Sequence, residues 1–118
     1  MKYDLEERLI RFAVAILEIS EKLPDTKGRI HLSGQIARSG TAPALLYGEA
    51  QSAESRKDFI HKMKVALKEL REARITLAII KIKYLSTDHI NAALIEIEEL
   101  ISIFVKSIQT AFKNLSRL

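Results

Sequence analysis

At both ends of this chain, apolar residues recur at alternating steps of four and three. Leu5, Leu9, Phe12, Ile16, Ile19 and Leu23 form one row, and Ile90, Leu94, Ile97, Ile101, Phe104, Ile108, Ala111 and Leu115 form the other. A helix with this spacing buries one stripe against its neighbours, as in a heptad seam. Strands would need alternation at period two, and no run alternates convincingly. An apolar fraction of 47% with only 6% aromatic residues favours a core of Leu, Ile and Ala, and two prolines and four glycines leave long stretches free to be helical. The expectation is an all-α fold in one domain, residues 1–118.

Four helical segments can be read. The first opens at Asp4, with Glu7 three residues on in a capping-box-like spacing, and ends at Pro24, Asp25 and Gly28. The second, roughly 27–51, holds Gly34, Gly40, Pro43 and Gly48, each of which weakens an isolated helix. Either Ser39-Gly40-Thr41-Ala42-Pro43 breaks it, or a helix kinked near Pro43 survives because neighbours pack closely on Ala37, Gly40 and Ala44. The kinked helix is the favoured reading. Ser55 with Asp58 starts the third segment, which runs to about Tyr84, and Ser86, Thr87 and Asp88 can cap the fourth. Short connections make consecutive helices antiparallel neighbours, giving an up-down-up-down four-helix bundle.

The third segment has two faces. Phe59, Met63, Ala66, Leu70, Ala73, Leu77 and Ile80 suit the core; opposite them run Lys57, His61, Lys64, Lys68 and Arg71, continued by Ile75, Ile79 and Ile82. Charge is concentrated here. Residues 56–83 carry nine basic and three acidic groups, whereas the remainder carries ten and twelve, so the modest overall charge of +4 is a local positive field. A polyanionic or acidic partner fits such a face, as does a lysine surface kept only for solubility.

More apolar surface remains than the core can use. Ile10, Val14 and Leu17 form a second line on the first helix, and Ile103 sits on the outer side of the fourth. With Ile75, Ile79 and Ile82 these make seven residues, each worth about 1.5 to 3 kcal/mol if a partner withdraws it from water, before association costs. Clustering at helical spacing predicts self-association through the outer faces of the first and third helices.

Catalytic constellations are missing from the sequence. His31, His61 and His89 fall on different segments, and Asp58-x-x-His61 is a single pair where a di-iron bundle needs two plus further carboxylates. Ser33-Gly34 and Ser39-Gly40 lack the flanks of a nucleophile elbow, and no phosphate-cradling loop occurs. Neither an enzyme nor a metal or other cofactor is expected. The absence of cysteine excludes disulfides and thiolate chemistry and fits a reducing cytoplasm. No signal peptide is read at the N-terminus and charges interrupt every hydrophobic run, so a soluble cytoplasmic protein without membrane attachment is expected. Membrane-surface binding is disfavoured further by the lack of Trp.

Residues 38–77 carry a resemblance. Arg38-Ser39-Gly40-Thr41 is followed by Glu49-Ala50-Gln51, by Glu54-Ser55-Arg56-Lys57-Asp58-Phe59-Ile60-His61-Lys62, by Ala66-Leu67-Lys68-Glu69, and by Glu72 and Leu77. This order is similar to that of small bacterial four-helix-bundle proteins called intervening-sequence proteins of large-subunit ribosomal RNA, some of them encoded within insertions in the 23S rRNA gene. The resemblance implies an antiparallel bundle assembled as a ring-like pentamer. The chain also resembles accessory proteins of diversity-generating retroelements, basic pentamers that bind nucleic acid and a reverse transcriptase. Where the family has Asn after Ser-Gly-Thr, this chain has Leu46, so a polar role for that Asn does not carry over.

At the family's Lys68, Glu69 and Glu72 positions a structural role competes with a functional one, since Arg38 or Arg74 could pair with Glu69 or Glu72. Lys57, Lys64, Lys68 and Arg71, with His61 between them, are the candidates for phosphate contacts. Two functions stay open: a non-enzymatic oligomer that binds RNA or DNA through backbone phosphates, or a scaffold whose third helix docks an acidic protein.

Overall fold

Local signals set the helix boundaries. The computed structural model describes residues 4–23, 25–84 and 86–116, in which four helices follow one another: α1 (Leu5–Glu21), α2 (Lys27–Gln51), α3 (Arg56–Lys83) and α4 (Asp88–Ser116). Asp4 caps α1 by accepting a hydrogen bond from the Glu7 amide at 2.8 Å, and Ser55 caps α3 by accepting from the Asp58 amide at 3.1 Å. Thr87 does the same for α4, its Oγ1 accepting from the Ile90 amide at 3.2 Å. Each cap satisfies a backbone donor that the first helical turn leaves open.

The helices pack as an antiparallel four-helix bundle measuring 52 × 31 × 20 Å. α1 lies against α2, α2 against α3, α3 against α4, and α4 closes more loosely on α1. α1 and α3 are therefore diagonal to one another, as are α2 and α4. Along the α1–α4 seam the looser closure leaves a largely apolar hollow of about 320 Å³, floored by Phe12, Ala15, Ile19, Ile90 and Ala93. Pro24, expected to help end the first helix, lies outside the described residues.

Apolar rows from all four helices form one core. Phe12, Ile16, Leu70, Leu77, Ile80, Ile97 and Phe104 are buried in it, with Ile36 and Pro43 contributed by α2. The row expected on α3 is buried except for Phe59, which is half-buried. The core is also wider than those rows, taking in Ile60 and Leu67 on α3 and Ala93 and Leu100 on α4. Such widening is what a helix with neighbours on two sides needs, because a single seam covers too narrow an arc.

α2 is continuous through Ser39–Pro43, which excludes the broken-helix alternative. Proline removes one ladder donor, so the loss must be offset by packing. The packing is visible at Gly40, where a Cβ would come within 2.5 Å of Ile16 Cγ2 and 2.9 Å of Cγ1. The α2 backbone thus approaches α1 too closely for any side chain at that position. Ser33 adds a polar tie across the same pair, its hydroxyl donating to the Ser20 carbonyl at 3.0 Å.

Gly40→Ala is expected to destabilise the fold by about 1 to 3 kcal/mol through overpacking against Ile16. At Gly34 nothing lies within 4 Å of the added carbon, so Gly34→Ala should stabilise by up to about 1 kcal/mol through helix propensity. Urea unfolding of the two variants measures both signs.

Candidate nucleic-acid interface

Burial of the Met63–Ile80 stripe rotates the opposite face of α3 into solvent. Lys57, His61, Lys64, Lys68 and Arg71 are all exposed. None of them makes an ion pair among the described residues, although other cations do. Arg8 binds Glu96 at 2.6 Å and Glu99 at 3.4 Å, Lys62 binds Glu49 at 2.9 Å, and Arg74 binds Glu98 at 3.3 Å. These pairs tie α1 to α4, α2 to α3 and α3 to α4, and none of them draws on the stripe.

The stripe forms one wall of a groove between α3 and α4. The groove holds about 560 Å³ and has Lys64, Lys68 and Arg71 along its α3 side, with Leu67, Ile75, Val105 and Ile108 as apolar lining and Gln109 as a polar one. Near one end the Lys64 ammonium sits 4.8 Å from the centroid of the Phe112 ring, a cation–π contact across the two helices. Exposed Phe112 stands one turn beyond Ile108, and nothing in the sequence singles it out. Its significance depends on Lys64, which lies on another helix.

One carboxylate, Glu72, lines the groove, and its charge is met from the side. Arg38 on α2 reaches Glu69 at 2.5 Å and Glu72 at 3.1 Å. The pairing expected for Arg38 is present, whereas Arg74 turns to Glu98 on α4. Arg74 has no need of Glu69 or Glu72, because Arg38 occupies both. Glu72 is held below the usual carboxylate range by its hydrogen bond with Glu69 and by Arg38, with a smaller contribution from nearby Lys68. Glu69 moves the other way, because burial disfavours its charge and the hydrogen bond with Glu72 adds to this, together outweighing Arg38. Arg38 itself is stabilised as a cation by the two carboxylates.

The apolar residues expected at subunit contacts are also placed. Ile10 and Val14 are each 50% exposed, Ile82 is 86% exposed, and Leu17, Ile75 and Ile79 stand open as well. Ile103 is half-buried, beside Phe59 and Lys106 in a shallow hollow, and so offers less free surface than its outward phase implied. Ile30 and Leu45 on α2 and Ile95 on α4 are exposed too. The sequence concealed Ile30 and Leu45 because α2 lacks a repeating apolar row, although fifteen residues place them within about 60° of each other on one flank. His31, His61 and His89 lie on separate helices, and no group of three or more metal-ligating side chains converges among the described residues. No helix among those residues is long and apolar enough to cross a membrane.

Four antiparallel helices with a cationic outer face define a small basic helical-bundle protein. The model of the 23S rRNA-intervening sequence protein family matches residues 1–106, and the chain belongs to that family. Among solved structures, it is similar to a protein of unknown function from the S23 ribosomal protein family of Bacteroides thetaiotaomicron VPI-5482. The two are 30% identical with a TM-score of 0.79, over 87% of this chain and 96% of that one. No curated protein matches the chain.

Glu69 provides a test of the electrostatics. Its carboxyl is raised by burial, so its contribution to stability is largest when it is protonated and diminishes as pH rises through its folded-state value. Glu69→Gln, which cannot ionise, should gain stability relative to the parent chain as pH rises from about 4 to 7. Urea midpoints across that interval measure the gain, and a difference that shrinks toward neutrality would contradict the assignment.

Proposed function

We propose that this chain is a non-enzymatic, homo-oligomeric bundle that binds the phosphate backbone of RNA or DNA in the cytoplasm as an accessory of ribosomal RNA. The observation carrying this reading is that Lys57, His61, Lys64, Lys68 and Arg71 share one exposed helix face and make no ion pair among the described residues. The family's name refers to 23S rRNA, which agrees with a polyanionic partner.

Self-association rests on the diagonal placement of α1 and α3. The strips Ile10, Val14, Leu17 and Ile75, Ile79, Ile82 look outward on opposite sides of the bundle. A two-fold contact through either strip leaves the other in water. A head-to-tail contact of α1 on the α3 of the next copy covers both, and repetition closes a ring when the rotation per subunit allows it. The pentamer implied by the family resemblance is such a ring. It would repeat the lysine stripe around its circumference and raise a local potential that is weak in one copy.

Binding of labelled RNA should weaken steeply with added salt. Lys64→Glu combined with Lys68→Glu should lower affinity across sequences and reduce the salt slope by about one for each phosphate that is no longer neutralised. Equal affinity at low and high salt overturns the phosphate reading. Nuclease treatment before a pull-down gives the complementary result: partners that survive it identify a scaffold docking an acidic protein.

A further inference from the structure

We propose that the groove between α3 and α4 binds unpaired nucleotides, with the Phe112 ring taking a base and Lys64 and Lys68 taking the adjoining phosphates. This rests on the nucleic-acid reading above and specifies which form of the polymer the site accepts.

A surface that meets only phosphates needs cations and little else. Here the cationic wall borders an apolar floor, Leu67, Val105 and Ile108, in a space of about 560 Å³. That volume lies in the range of about 300 to 1,000 Å³ usual for small-molecule sites. A duplex keeps its bases stacked inside and presents sugar and phosphate to the protein, so the floor contributes nothing to its binding. An unpaired strand can turn a flat, weakly polar base inward while its phosphate remains on the rim. The chemistry therefore separates the two forms even though both carry the same backbone charge.

Phe112 is the second observation. It is 45% exposed, one turn beyond the lining residue Ile108, and Lys64 of the groove wall stands over its ring at 4.8 Å. An aromatic face beside a lysine is the combination that sequence-tolerant single-strand binding uses, because every base has a face to stack and every linkage a charge to meet. Gln109, one turn along from Val105, offers donor and acceptor atoms that any base edge can use. With one aromatic residue, the site selects unpaired over paired strands and does not read sequence.

The test is fluorescence anisotropy at fixed salt with oligouridine of about 20 nucleotides, which stays unstacked, and with an RNA duplex of the same length. The expected result is tighter binding of oligouridine, with Phe112→Ala lowering that affinity by about 5- to 100-fold and changing the duplex less than about two-fold. Phe112→Trp should restore binding, and circular dichroism should show both variants folded, since the ring is outside the core. If Phe112→Ala leaves both ligands unchanged, or weakens both equally, the stacking site is wrong while phosphate binding stands. If the parent chain binds neither ligand even at low salt, both readings fall.

Discussion

α3 fixes the rest of the molecule by having two faces that cannot both be buried. Met63, Ala66, Leu70, Ala73, Leu77 and Ile80 go into the core together, and each such side chain contributes on the order of 1.5 to 3 kcal/mol by leaving water, alanine less. Rotating the helix to hide its isoleucines would expose that whole stripe and bury four cations without partners, at a cost of several kcal/mol per charge. The rotation is settled by that comparison. Lys57, Lys64, Lys68 and Arg71 must then face solvent, and Ile75, Ile79 and Ile82 must do so with them.

The remaining charges are distributed in keeping with this orientation. Between helices, carboxylates are met by Arg8, Arg38, Lys62 and Arg74. Most of these pairs are exposed and contribute little to stability. Their larger effect is on the field, since they occupy acidic groups that would otherwise offset the α3 stripe. Arg38 shows this directly: by binding Glu72 it moderates the one negative group on the groove wall. Glu69 is the exception, a buried carboxyl group whose neutral form is favoured by burial and by its hydrogen bond with Glu72, and whose charge is met, among the described residues, only by Arg38.

What the sequence disclosed and what it hid follow from the range of each signal. Asp4, Ser55 and Thr87 act within three residues, so the starts of α1, α3 and α4 were legible. The rows on α1, α3 and α4 repeat over many turns, so the fold class and the outward lysine stripe were legible too. α2 was legible in part: its range and a surviving helix closely packed at Gly40 were the favoured reading, but a break stayed open because Gly40 meets Ile16, 24 positions away. The same limit applied to the site. Lys64 and Lys68 could be found along one helix, but the groove, its Ile108 floor and the Phe112 ring exist only once α4 is laid beside α3. The partner of Arg74 was hidden for the same reason, since Glu98 is on α4.

Opposed apolar strips on diagonal helices are the basis of the proposed assembly, in which sister copies would cover the isoleucines and leave the lysines open. Multi-angle light scattering at micromolar concentration addresses this most directly. The account predicts a single species whose mass is several times the 13.4 kDa of one chain, consistent with a closed ring. A monodisperse particle of one-chain mass would contradict it.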